Sequence, residues 1–230
     1  MNRQVIFLDA VGTLFGVRGS VGGVYAQIAQ EFGVSADPQV LDHWFGYYFK
    51  SAPPMAFPGS NKSEILSLEQ NWWRQLAIQV FERAEIFAQF PDFDQFFIQL
   101  YCHFATAQPW VVYADTLPAL TAWRQQGISL HLVSNFDHRL YGVLDALDLH
   151  SWFDSITIST AVGAAKPSAQ IFQTALDQAQ VLPSQVCHIG DSYNLDYLGA
   201  IAAGLEGIWL DRSGTNSPAP HVINQLTDLA

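Results

Sequence analysis

Apolar residues gather along this chain into two kinds of run. Five are short and largely continuous, each closing on a polar residue or glycine: Val5 to Leu8, Ile128 to Val133, Ile156 to Ile158, Val186 to Ile189 and Gly207 to Leu210. Continuous β-branched runs of that length suit strands covered on both faces, as in a parallel sheet. Between the last four, polarity repeats with helical spacing over Asp137 to Leu147, Ser168 to Ala179 and Leu195 to Ala203. Such alternation means βαβ crossovers, so the expected fold is α/β: a doubly wound, mainly parallel, Rossmann-like sheet.

Residues 15–108 depart from that pattern. Helical periodicity runs through Val21 to Phe32, Pro38 to Phe49, Ser63 to Arg83 and Asp92 to Phe104, punctuated at Pro53-Pro54, Pro58-Gly59 and Pro91, with no convincing strand. The expected organisation is an α/β core of residues 1–14 and 109–230, with an all-helical domain of residues 15–108 inserted after the first strand. The insertion's aromatics, among them Trp44, Phe45, Trp72, Trp73, Phe96 and Phe97, read as helix-packing core rather than a binding surface.

Length supports this division, because 230 residues exceed one typical domain and fall short of two large ones. The formal charge of -11 repels phosphate backbones, which argues against nucleic acid and anionic membranes as partners and leaves small ligands. No window approaches the roughly 18 consecutive apolar residues of a membrane span, and the N-terminus lacks a secretory pattern, so a cytoplasmic protein is expected. Cys102 and Cys187 fit no metal-ligand spacing and are expected as buried free thiols.

Ligands of an open α/β sheet bind beyond the carboxyl ends of its strands. The first run ends there in Asp9, the second in Ser134-Asn135, and the fourth in Gly190-Asp191, with Asp196 five residues further on. Lys166, one of three lysines in the chain, precedes the helix leading into the fourth. Singly, each is explained as a helix cap, a turn residue or a solvated charge. Together they place acidic groups and one cation along a single edge.

The segments Asp9-Ala10-Val11-Gly12-Thr13, Leu132-Val133-Ser134-Asn135, Lys166-Pro167 and Gly190-Asp191-Ser192 through Asp196 resemble the four sequential motifs of the haloacid dehalogenase superfamily. The helical insertion after the first is similar to that superfamily's C1 cap. The resemblance implies a hydrolase in which Asp9 attacks a small phosphorylated substrate and carries an aspartyl-phosphate. It implies Mg2+ held by Asp9, the Val11 carbonyl and Asp191, with Asp196 direct or through water. Lys166 and Ser134 join the catalysis, while Gly12, Thr13 and Asn135 contact the substrate through the loop and backbone amides, with Thr13 also orienting that loop. Hinges for cap closure are then expected at Phe15 to Ser20 and Gln108 to Tyr113. Oligomeric state is not readable.

One position departs from the family's phosphatases. Two residues after the nucleophile most carry a second Asp, which protonates the leaving group and then deprotonates water; this chain has Val11. General acid-base catalysis is typically worth roughly 10²–10⁴-fold. The readings left open are a phosphatase for good leaving groups, or with an acid supplied from the cap (His43 and Glu69 are candidates); a weakened member that binds a phosphometabolite or protein partner; and a dehalogenase or phosphonate hydrolase. Dehalogenases of the superfamily carry serine at the position of Asp191, and Lys50, the one cap lysine that tempts a phosphonatase reading, lacks that family's surrounding motif and reads as a helix-end surface charge.

Overall fold

The computed structural model describes residues 4–214 and 220–230. β1 (Val5–Leu8) is followed by β2 (Phe15–Val17), the helices α1 (Val21–Glu31), α2 (Pro38–Ser51), α3 (Lys62–Arg83) and α4 (Phe93–His103), and β3 (Trp110–Val112). The chain then runs through α5 (Thr116–Gln125), β4 (Ser129–Ser134), α6 (Arg139–Ala146), β5 (Ser155–Ile158), α7 (Ser159–Val162), α8 (Ala169–Ala179) and β6 (Val186–Gly190). A π-helical turn, Tyr193–Leu198, continues into α9 (Gly199–Ala202), and β7 (Glu206–Leu210) and β8 (Val222–Ile223) complete the sheet.

Six parallel strands lie in the order β5-β4-β1-β6-β7-β8. Leu8 of β1 faces Leu132 of β4 on one side and Ile189 of β6 on the other. Winding therefore reverses beside β1, which places the ligand crevice at its carboxyl end. The strand's alternation shows why both faces are apolar. Ile6 and Leu8 enter a core with Leu120, Trp123, Leu130 and Leu132, under α5 and α6. Val5 and Phe7 enter a second core with Val133, Ile171, Phe172 and Leu176, under α8 and α9.

The four inserted helices have a core of their own, in which Tyr25 and Ile28 meet Leu41, Phe81, Phe96 and Leu100. Their starts are fixed locally. Asp37 precedes Pro38 at the first helical position and accepts from the Gln39 amide at 2.8 Å, and Asp92 accepts from the Gln95 amide at 3.0 Å. Gly22 is required where α1 meets α2, since a Cβ there would collide with the Pro38 carbonyl.

Several elements differ from the sequence expectation, and residues 15–108, expected to hold no strand, begin with β2. The segments expected as hinges pair with each other, β2 against β3, with Gly16 opposite Val111, and Arg18 reinforces the pair by donating from its amide to the Pro109 carbonyl at 2.7 Å. Residues 116–125, given no element from the sequence, form α5, whose Pro118 lies in the first turn, where no amide partner is needed. The helix expected from Leu195 begins earlier and wider, because the amides of Asp196 and Tyr197 both donate to the Ser192 carbonyl. Such π-helical turns recur at functional sites. Among the described residues no helix is long and apolar enough to cross a membrane.

Candidate active site

Asp9 and Asp191 lie just beyond β1 and β6, Asp196 sits in the π-helical turn that follows β6, and the chain brings the three together. Asp9 follows β1 and is buried; its Oδ1 accepts from Lys166 Nζ at 2.6 Å and from Ser134 Oγ, at the end of β4, at 3.1 Å. Neither bond uses Oδ2. Lys166 also donates to Asp196 Oδ1 at 2.5 Å, and Asp196 accepts in addition from His188 Nε2 at 2.9 Å and the Ser192 amide at 3.0 Å. Carboxylate oxygens of Asp9, Asp191 and Asp196 lie within 4.8 Å of one another.

Electrostatics follow from this crowding. Burial raises the Asp9 carboxyl above its ordinary range despite the Lys166 ammonium, and the charge of Asp196 adds to the rise. Burial acts on Asp196 in the same sense but loses to Lys166 and His188, which hold it well below the ordinary carboxylate range. Asp191, which solvent reaches, is pushed up to about 7, first by desolvation and then by the charges of Asp9 and Asp196. Burial pushes His188 down, keeping it neutral, with its Nδ1 buried and unpaired among the described residues. When ionised, three carboxylates thus face one ammonium, leaving two negative charges unmatched. Hard oxygen donors with that surplus fit a divalent cation such as Mg2+.

The loop after Asp9 is shaped sterically. Gly12 has φ +89°, and a Cβ there would run into the Asp191 carboxylate; a Cβ on Gly190 would likewise strike the Asp196 carboxyl. Gly12 donates its amide to the Phe15 carbonyl at 2.8 Å, so its part is conformational. Thr13 Oγ1 is buried without a partner among the described residues, so that hydroxyl does not orient the loop. Arg212, beyond β7, does so, donating to the Gly12 carbonyl at 3.1 Å and the Thr13 carbonyl at 2.6 Å while Asp115 accepts both bonds from its Nη1 at 3.0 and 3.1 Å. Sequence reasoning missed Arg212, although it stands two residues past the fifth predicted strand. Asn135 turns its side-chain amide to Lys166, accepting from the Lys166 amide at 2.7 Å and donating to its carbonyl at 2.9 Å.

The segment after Asn135 reaches the inserted helices. Trp73 Nε1 of α3 donates to Asp137 Oδ2 at 2.6 Å, and Asp137 in turn holds Arg139 through Nε and Nη2. Glu69, also on α3, is fully buried and meets His138 Nδ1 at 2.6 Å. A chamber of about 190 Å³ lies between the helices and the crevice, lined by Val11 and Asn135 on one side and by Tyr25, Phe45, Trp73 and Phe97, among others, on the other. Phe45, Trp73 and Phe97 are therefore cavity wall as well as packing. Neither candidate acid lines this chamber: Glu69 is engaged with His138, and His43 is exposed beside Trp44. Lys50 is an exposed residue in the last turn of α2, and Cys102 is exposed, unlike the buried Cys187. Cys102 stands in the last turn of a helix whose apolar face is formed by Phe93, Phe96, Phe97 and Leu100, which leaves it on the outer side.

Comparison with known proteins places this geometry. Residues 4–204 match the family model of the haloacid dehalogenase-like hydrolases. The chain is 32% identical over 239 residues to haloacid dehalogenase-like hydrolase domain-containing protein 3 of Mus musculus, a match spanning 100% of this chain and 93% of that protein. A shorter likeness, 30% over 120 residues and 52% of each chain, is to glyceraldehyde 3-phosphate phosphatase of Methanothermobacter thermautotrophicus. In fold it is similar to a HAD phosphatase from Thermococcus onnurineus, with TM-score 0.66, 21% identity and 98% and 95% of the two chains covered. It is also similar to L-2-haloacid dehalogenase from Xanthobacter autotrophicus with chloropropionic acid covalently bound, with TM-score 0.73, 18% identity and 98% and 96% covered. One architecture thus carries both names, so the choice of chemistry rests on the residues at the crevice.

Proposed function

The chain belongs to the haloacid dehalogenase-like hydrolase family, and within it we propose a magnesium-dependent phosphatase that passes a phosphoryl group from a small phosphorylated metabolite to Asp9 and then to water. The observation that carries the reading is the meeting of Asp9, Asp191 and Asp196 around the Lys166 ammonium. A metal-free reaction gains nothing from a second and third carboxylate beside its nucleophile, since like charges repel an anionic substrate.

In this reading Asp9, the Val11 carbonyl and Asp191 hold Mg2+, with Asp196 behind them, and residues 15–108 act as the cap domain over the core. The cation supplies charge neutralisation between an anionic nucleophile and an anionic substrate. Lys166 and Ser134 fix Asp9 through Oδ1, which leaves Oδ2 to attack phosphorus in line with the departing oxygen. Lys166, oriented by Asp196 and by the Asn135 clamp on its backbone, then stabilises charge gathering on the phosphoryl oxygens. His188 positions Asp196 and stays neutral, adding no charge to compete with Lys166.

A binding-only role is the second reading, and Val11 is the observation behind it. The two separate on one experiment. With Mg2+ and acetyl phosphate, whose leaving group needs no proton, the native chain is expected to release orthophosphate through a hydroxylamine-sensitive aspartyl-phosphate that Asp9→Asn abolishes. Turnover by Asp9→Asn at the native rate removes Asp9 as nucleophile, and no turnover with a melting temperature still raised by Mg2+ and phosphate establishes a binder.

A further inference from the structure

We infer that the chamber beside Val11 is a leaving-group site for the phosphate monoester of a small phenol. The inference rests on the phosphatase reading and names its substrate class. Val11 and Asn135 belong both to the crevice and to the chamber wall, so the chamber opens where a group departing from phosphorus would go.

Two independent observations converge on that class. The first is the wall itself. Its aromatic and aliphatic side chains leave few free polar atoms, because Trp73 Nε1 donates to Asp137, Trp110 Nε1 donates to the Phe104 carbonyl, and the Asn135 amide is engaged on Lys166. Arg139 faces the Tyr101 ring with its guanidinium 3.9 Å from the centroid, and its charge is matched by Asp137. A sugar or polyol would surrender its water-bound hydroxyls to a surface that offers little beyond the Tyr25 and Tyr101 hydroxyls in return, and a second phosphate or carboxylate would find no unmatched cation. An aromatic ring gives up little hydration and gains edge and face contacts. The volume suits the same guest: an apolar cavity of about 150 Å³ is known to take a benzene, and this one is about 190 Å³.

The second observation is protonic. Among the described residues no Asp, Glu, His, Lys or Cys lines the chamber, and burial raises the hydroxyls of Tyr25 and Tyr101 well above their ordinary range, which makes them poor acids. An alkoxide cannot leave well without a proton. An aryloxide can. Asp9 forms the new P–O bond, the P–O bond to the aryl oxygen breaks with its electron pair on that oxygen, and the aryloxide takes a proton from solvent. Water then attacks phosphorus, its proton passing to solvent, and the bond to Asp9 breaks to give orthophosphate and the free carboxylate.

The test compares acetyl phosphate, phenyl phosphate and glycerol 3-phosphate on the full chain with Mg2+, alongside binding of phenylphosphonate and methylphosphonate followed by quenching of tryptophan fluorescence. Phenyl phosphate is expected to exceed glycerol 3-phosphate in kcat/KM by about 10² or more, and phenylphosphonate to bind roughly 10–200-fold tighter than methylphosphonate. Leu100→Trp, which fills the chamber, is expected to lower the phenyl-to-acetyl ratio of kcat/KM at least tenfold, with its melting curve reporting that it folds. Turnover of acetyl phosphate with equal binding of the two phosphonates, or with an unmoved ratio in Leu100→Trp, overturns the chamber and spares the phosphatase. Failure of every phosphate together with tight phenylphosphonate binding overturns the phosphatase and keeps the chamber as a site for an aromatic ligand.

Discussion

Replacing Val11 by Asp isolates the half-reaction that this chain is least equipped to perform. A good leaving group relieves phosphorylation of Asp9 from any need for an acid, but the aspartyl-phosphate must still be attacked by water, whose proton needs a base. Among the described residues no carboxylate or imidazole lines the chamber, and Asp196 is engaged by Lys166, His188 and the Ser192 amide. A missing general base slows a step by roughly 10²–10⁴, or about 2.7–5.4 kcal/mol of barrier at about 1.36 kcal/mol per decade. Set against a typical enzyme turnover of about 10 per second, dephosphorylation falls to roughly 0.1–0.001 per second. The phosphoenzyme then lives for about 10 to 1,000 seconds. Stopped-flow release of 4-nitrophenolate from 4-nitrophenyl phosphate should show a burst approaching one equivalent per chain, followed by a slow steady state. Val11→Asp should erase the burst and raise the steady rate by two decades or more. Linear release from the native chain at saturating substrate, or a Val11→Asp variant with an unchanged steady rate, refutes the reasoning.

Other consequences are as direct. Asp191→Asn removes one of three crowded carboxylates, so the metal-free protein should melt higher while the rise on adding Mg2+ disappears; differential scanning calorimetry with and without EDTA reads both, and a Mg2+ shift that survives removes Asp191 from the cation site. Arg212→Met deprives the Asp115 carboxylate and the Gly12 and Thr13 carbonyls of their donor, which should cost roughly 1.5–3 kcal/mol in urea unfolding and slow phosphoenzyme formation. A loss of stability with an unchanged rate limits Arg212 to holding the fold. Trp73→Phe removes the bond from α3 to Asp137, so limited proteolysis should cut the connections to residues 15–108 faster; equal cleavage shows the bond holds nothing. Halide release from 2-chloropropionate in EDTA would contradict the metal-dependent reading outright.

What the sequence disclosed and withheld divides along physical lines. The five long strands of the sheet were legible because each is largely covered on both faces, which leaves a mostly apolar run, and each inserted helix carried its own cap or proline. β8 has two residues, too few for any periodicity, and β2 and β3 exist only by pairing across almost the whole insertion. The acidic residues were legible because a single rule, polar groups at the carboxyl ends of strands, selects them. The same rule applied past Leu210 would have picked out Arg212. The chamber was illegible in principle: Val11, Tyr25, Trp73, Phe97 and Asn135 come from five separate elements or loops, and nothing in their spacing says that they share a wall.

Val11 ties the missing proton to the apolar wall. An Asp at this position would bring an acid and also a charge, set at the mouth of a chamber whose other charged side chain, Arg139, is already matched by Asp137. Either it stays ionised and costs the chamber apolar surface and desolvation throughout, or burial keeps it protonated until it gives its proton to the leaving group, after which it is the base of the second step and stands as a charge at the chamber mouth. The same Val11→Asp variant that raises turnover of 4-nitrophenyl phosphate should therefore raise KM, and should weaken phenylphosphonate more than methylphosphonate when binding is measured by fluorescence. A variant that gains turnover with undiminished phenylphosphonate affinity would show that Val11 forms no part of the surface on which the ring rests.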